Sequence, residues 1–135
     1  MAETGSAAAL NELTKRIIGG AIEVHRAIGP GLLERAYAAC LDHELRLRGF
    51  AVRRNVPLPL VYKGLRLTSA YLADMIVEEC VVVELKAIEA TAPVHERQLL
   101  TYVRLADCRV GLMLNFGQRL LSPAIIRVAN QFPAK

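Results

Sequence analysis

Tyr71-Leu72-Ala73-Asp74-Met75-Ile76-Val77, then Glu78-Glu79, then Cys80-Val81-Val82-Val83-Glu84-Leu85-Lys86-Ala87 is the stretch whose reading decides the fold. Two β-rich runs flank an acidic turn, which predicts an antiparallel hairpin. The second run is apolar enough for a central strand, yet it contains Glu84 and Lys86. Two residues apart in a strand share one face. Asp74 interrupts the first run in the same way. A three-residue loop, Glu78-Glu79-Cys80, pairs Val77 with Val81 and sets Asp74 opposite Glu84. Opposed carboxylates repel by roughly a few tenths to 1 kcal/mol. Charge inside a sheet needs a partner, and a hard divalent ion with Lys86 beside it meets that need better than Lys86 alone. The plain alternative is a surface hairpin with both acids in water.

The chain has 135 residues, enough for one domain with a core of its own. Its apolar share of 53% beside 22% charged residues suits a globular domain, and no apolar run reaches the ~18 residues of a membrane span. Residues 1–10 lack a basic segment followed by an apolar core, so they do not read as a secretory signal. They are expected to be disordered, with a single domain over 11–130 and a tail at 131–135. Cys40, Cys80 and Cys108 are scattered without a CxxC pair. That pattern speaks against a disulfide framework, a zinc site or an iron–sulfur cluster, and for a reducing cytoplasm.

Net charge is +4. From Glu44 to Arg66 the bases Arg46, Arg48, Arg53, Arg54, Lys63 and Arg66 face Glu44 alone, a stripe suited to a polyanion such as nucleic acid. A solvated basic face is the bland reading of the same residues.

Upstream, Asn11 is placed to cap a helix from Glu12 to about Ile28, with Leu13, Ile17, Ala21, Val24 and Ile28 on one stripe. His25 lies beside that stripe, where a packed or solvent-facing histidine is the simplest reading. Gly29-Pro30-Gly31 breaks the helix. A second helix is expected from Leu32 to about Arg48, with Leu33, Ala36, Tyr37, Cys40, Leu41 and Leu45 inward and Gly49 closing it. Glu34 falls in its first turn, where the helix dipole favours a carboxylate. Phe50 to Tyr62 reads as extended, and Pro57 and Pro59 confine it to an edge or a bulge. Lys63-Gly64 is a turn, and strands continue from Leu65 to Val77. Val94 to Ala106 is an amphipathic helix with Leu99, Val103 and Ala106 inward, His95 and Tyr102 on the same side, and Gln98 at the margin. Apolar strands follow over Arg109–Phe116 and Ala124–Ala129. The order predicts an α/β domain with a sheet between helices.

Gly31-Leu32-Leu33-Glu34-Arg35-Ala36-Tyr37 resembles the motif that names the GxxExxY proteins. Further pieces follow in the family's order: Val24-His25-Arg26, Ala73-Asp74, Val83-Glu84-Leu85-Lys86-Ala87, His95-Glu96-Arg97-Gln98-Leu99-Leu100 with Tyr102, and Asn115-Phe116-Gly117. Over roughly residues 13–128 the chain is similar to that family within the PD-(D/E)XK nuclease superfamily, in its RecB-like branch. Ala73 stands where the superfamily often has proline.

The resemblance implies a restriction-endonuclease-like αβββαβ core, a mixed sheet flanked by helices. It implies an acidic set of Glu34, Asp74 and Glu84, with Lys86 as the superfamily's lysine and Gln98 with Tyr102 as the QxxxY element. Tyr37 is an accessory residue of the naming motif. Asp74, Glu84, the Leu85 carbonyl and Glu34 are then expected to hold Mg2+ or Mn2+, with His25 as a further candidate ligand. Lys86 would orient the attacking water, and Gln98 would fix that water or Lys86 by hydrogen bonding. The expected activity is hydrolysis of nucleic-acid phosphodiesters, DNA in preference to RNA, by a chain acting alone, as a homodimer or with a larger partner protein. The alternative is a non-catalytic nucleic-acid- or partner-binding protein that retains the fold.

Overall fold

The computed structural model describes residues 6–131. In chain order it contains α1 (Ala7–Ile28), α2 (Glu34–Leu47), β1 (Val52–Tyr62), β2 (Leu65–Val77), β3 (Val81–Lys86), α3 (Pro93–Leu105), β4 (Val110–Asn115) and β5 (Ile125–Ala129). The strands form one five-stranded sheet in the order β1-β2-β3-β4-β5. β3 and β4 are parallel, joined by the α3 crossover, and the other neighbours are antiparallel. This mixed sheet between helices is consistent with a restriction-endonuclease-like fold. No helix among the described residues is long and apolar enough to cross a membrane.

Two apolar layers hold the sheet. On one face α1 and α2 bring Ile17, Ala21, Tyr37, Leu41 and Leu45 onto Met75, Val77, Val81, Val83 and Leu85. On the other, α3 brings Leu99, Tyr102 and Val103 onto Ile76, Val82 and Met113. β3 is buried on both faces, as its near-continuous apolar run requires.

Several boundaries differ from the sequence reading. α1 begins at Ala7, capped by the Ser6 side chain, which accepts the Ala9 N–H at 3.0 Å. Asn11 is therefore inside the helix, and the disorder expected over 1–10 does not extend to residues 7–10; residues 1–5 and 132–135 lie outside the described residues. Alanines are strong helix formers, and Ala7 and Leu10 are buried in the core. α2 starts at Glu34 rather than Leu32, which leaves Leu33 65% exposed and brings Ala38 inward in place of the exposed Cys40. Gly49 closes it at φ +90°. The prolines of β1 do sit on an edge strand, with a register shift between Leu58 and Leu60.

β1 and β2 also reverse their faces midway. Val52 packs in the α1/α2 layer but Val56 in the α3 layer, although four residues should restore the same face. The break falls at Asn55, whose φ is +51°. β2 does the same across Asp74: Met75 belongs to one layer and Ala73 to the other.

Gly111 marks the closest approach of α3 to the sheet. A Cβ there would stand 2.4 Å from Val103 Cγ2 and 3.0 Å from Leu99 Cδ1. Valine is stiff about χ1, so neither side yields easily. Gly111→Ala is expected to lower stability by about 1–3 kcal/mol, read from the urea midpoint; an unchanged midpoint would show that α3 can slide off β4 freely.

Candidate active site

The site is built where the β2–β3 ladder ends. Backbone pairing runs from Val77/Val81 through Ile76/Val82 to Met75/Val83. At the next step the two acids take over from the ladder. The Asp74 N–H donates to Glu84 Oε2 at 2.6 Å, and the Leu85 N–H donates to Asp74 Oδ2 at 2.8 Å. Each carboxylate thus binds the opposite strand's backbone. Glu84 is only 7% exposed. Burial, and then the Asp74 charge, pushes its carboxyl up to about 8. Burial raises Asp74 too, against the Leu85 N–H, Lys86 and Arg54, which favour its ionised form.

Two cavities flank this pair. One, of about 480 Å3, lies at the start of α2 and is lined by Glu34, Arg35, Arg54, Asn55 and Asp74, among others. Burial and then Asp74 raise the Glu34 carboxyl, and Lys86 lowers it. The other, of about 490 Å3, lies on the α3 side and includes Tyr71, Lys86, Gln98 and Tyr102. Burial and then the charges of Glu84 and Asp74 push the Tyr102 phenol up, and the neighbouring Gln98 side chain works against that rise. The acid pair is therefore sensed from both cavities.

The loop before α2 fixes Glu34. Gly29 and Gly31 take φ of +70° and +106°, values that favour glycine. The Tyr37 hydroxyl donates to the Gly29 carbonyl and accepts the Leu32 N–H at 3.2 Å. Its ring is fully buried and stacked on Phe116, centroids 4.6 Å apart. Tyr37 therefore ties the loop to the core three residues after Glu34. Lys86 is fixed from β4. Its carbonyl accepts the Phe116 N–H at 2.7 Å, and the buried Asn115 side chain accepts the N–H groups of Ile88 and Gly117 at 3.0 and 3.1 Å.

Not all the expected residues meet. Glu34 shares a cavity with Asp74, whereas Lys86 and Gln98 line the other one. Among the described residues no group of three or more His, Cys, Asp or Glu is placed to hold a metal ion. His25 is not brought to the acids: its Nε2 lies 2.7 Å from the Gln118 carbonyl, and it lines a separate cavity with Arg26, Pro30 and Arg119. Tyr102 does not approach the helix of Glu34, because α2 and α3 cover opposite sheet faces.

The basic stripe is largely spoken for. Arg46 pairs with Asp42 at 2.6 Å, Arg48 with Glu44 at 2.7 Å and Arg53 with Glu79 at 2.7 Å. Asp42 and Glu79 lie outside the window in which the bases had only Glu44 to face. Lys63 leans over the Tyr62 ring, and Arg66 is exposed near the same hairpin tip. Arg54 differs from the rest. It reaches Asp42 at 3.3 Å, yet its buried Nε has no partner, and it lines the cavity of Glu34 and Asp74. Asn55, Tyr71 and Asn115 complete the site's surroundings. Asn115 left a trace in the sequence, as part of the Asn115-Phe116-Gly117 piece of the family resemblance.

No curated protein and no solved structure matches the chain. The model of the PD-(D/E)XK nuclease superfamily matches residues 11–128. That span runs from within α1 into β5 and contains both acids and Lys86, which lie at one end of the β2–β3 hairpin. The chain belongs to the PD-(D/E)XK nuclease superfamily.

Proposed function

We propose that the protein is a divalent-metal-dependent nuclease that hydrolyses phosphodiester bonds, DNA in preference to RNA. The observation that carries this is the interlocked Asp74–Glu84 pair, with Glu84 buried beside a second acid. Members of the superfamily are generally nucleases and typically use divalent metal ions. Within it we place the chain with the GxxExxY proteins of the RecB-like branch, on Gly31, Glu34 and Tyr37. Its free Cys40, Cys80 and Cys108 suit a reducing cytoplasm.

The donor set fits Mg2+ or Mn2+. Asp74, Glu84 and the Leu85 carbonyl offer oxygens, which hard ions prefer. Burial and then the Asp74 charge make the ionised Glu84 carboxylate costly, a cost that a bound cation would offset. Two carboxylates suffice for Mg2+, which keeps several waters, and Glu34 reaches the same cavity as Asp74. When bound, the ion offsets phosphate charge and acidifies a water. Lys86 orients that water and stabilises the charge that develops on the phosphoryl oxygens. Gln98 lines the Lys86 cavity one turn before Tyr102, within reach of that water. Arg54, with its spare donor, and the exposed Lys63 and Arg66 are the cations left to hold flanking phosphates.

One observation favours a second reading, a non-catalytic protein that binds nucleic acid or a partner. Each acid already accepts a backbone N–H, and no three-ligand group stands ready among the described residues. A cleavage panel separates the two. Linear, circular and single-stranded DNA and RNA are incubated with Mn2+, Mg2+ or EDTA. Metal-dependent cleavage of any of them carries the nuclease reading. Salt-dependent retention without cleavage carries the second.

A further inference from the structure

The cavity on the α3 side is larger and more aromatic than positioning Lys86 requires. Its volume is about 490 Å3, and Tyr71, Val94, Arg97 and Tyr102 stand in its wall with Lys86 and Gln98. The Tyr71 ring is braced by Tyr102, centroids 5.4 Å apart and planes tilted by 50°, yet it remains 38% exposed. Val94, 54% exposed, adds an apolar rim. Arg97 is exposed and makes no ion pair among the described residues. An aromatic face that is held still, an apolar edge and a free guanidinium are what an unstacked base and its phosphate need. On the far side of the acid pair, Arg35 and Arg54 line the other cavity. Cations thus flank the acids on both sides, and a flat aromatic platform stands on one.

Resting on the nuclease reading above, we propose that the α3-side cavity takes an unpaired nucleobase stacked on Tyr71, next to the phosphate at Asp74 and Glu84. The substrate is then single-stranded nucleic acid, or a strand end or lesion whose base is unpaired. A base inside a duplex is covered on both faces and cannot enter without being extruded, which costs unstacking and unpairing energy. The neighbouring phosphate lies along Arg97, and the strand continues past the acids toward Arg54.

The test is equilibrium binding of the full chain, without divalent metal, to a fluorescein-labelled single strand and to the same sequence as a blunt duplex. Wild type is expected to bind the single strand more tightly. Tyr71→Ala should weaken single-strand binding by about 5- to 100-fold with little change for the duplex, while Tyr71→Phe keeps the wild-type value. Arg97→Gln, at an exposed helix position, should weaken binding and reduce the salt slope by about one charge; it tests the cavity even where Tyr71→Ala fails to fold. Equal affinity for duplex and single strand, or wild-type single-strand binding by both variants, overturns the inference. Cleavage separates its failure from that of the underlying reading. Wild type that cuts duplex at least as well as single strands keeps the nuclease and loses the cavity's role. Wild type that cuts nothing but binds single strands selectively loses the nuclease reading and keeps the cavity's role.

Discussion

Lys86→Ala is expected to lower kcat for cleavage by about 10²–10³-fold, the usual consequence of removing a preorganised charge aimed at a transition state. Lys86 stands two residues after Glu84 on β3, and its charge reaches Glu34, Asp74 and Glu84, opposing the rise of each acid. Its backbone is held by Phe116 and its strand end by Asn115. Loss of the side chain therefore leaves the scaffold in place, and the melting temperature should stay near wild type. KM should change little, because the amine acts on charge that develops during reaction rather than on bound substrate. Lys86→Arg should not rescue: a planar fork replaces a compact charge. Steady-state kinetics in Mn2+ on the best substrate of the cleavage panel checks this. A variant that loses KM but keeps kcat would move Lys86 from the chemistry to phosphate binding.

The register that makes this argument possible was legible in the sequence. Counting from a three-residue loop sets Val77 against Val81, and that pairing holds; the ladder then ends at Met75/Val83, and Asp74 meets Glu84 through its N–H and the Glu84 carboxylate. The burial of β3 and the inward set of α3 hold as well, since long periodic runs survive errors at their ends. For α2, Tyr37, Leu41 and Leu45 face inward as the stripe requires, but Leu33 and Cys40 do not. A loop pinned by Tyr37 decides where the helix starts, and a stripe counted from Leu33 begins one turn too early. The reversal at Asn55 was invisible because period-two counting assumes that no residue leaves the β region. The basic stripe was overvalued because ion pairing is a tertiary property: Glu79 is 26 residues from Arg53. His25 illustrates the same limit. Its neighbour in space is Gln118, far along the chain, and sequence spacing gave no hint of it.

The energetics of the acid pair also depart from simple cross-strand repulsion, and they lead to the second large effect. The metal-free domain is expected to lose stability as pH rises from about 4.5 to about 8, and Glu84→Gln is expected to remove most of that loss. The sign follows from linkage. Glu84 titrates near the ordinary value of 4.5 when unfolded and at about 8 when folded. Between those limits the folded state holds the extra proton, so unfolding becomes easier as pH increases. Below about 4.5 both states are protonated and the full stability is present; above about 8 both are ionised and the loss is complete. At 1.36 kcal/mol per unit the loss is on the order of 5 kcal/mol, far above the repulsion expected for an exposed cross-strand pair. Burial makes the difference, since it is the first cause of the shift and Asp74 the second. Glutamine keeps an oxygen for the Asp74 N–H and carries no charge, so Glu84→Gln should match wild type at pH 5 and exceed it at pH 8.5. A cation that binds the ionised pair reverses the penalty. Millimolar Mn2+ should therefore raise the wild-type melting temperature by mass action, more at pH 8.5 than at pH 6, where it must first displace the Glu84 proton. The variant should not respond. Urea titrations and thermal melts across this range, with Mn2+ or EDTA, measure both effects. A wild type whose stability is flat from pH 5 to 8.5 would mean that Glu84 ionises freely in the fold, and the cost of the ionised pair that a cation would offset would be gone.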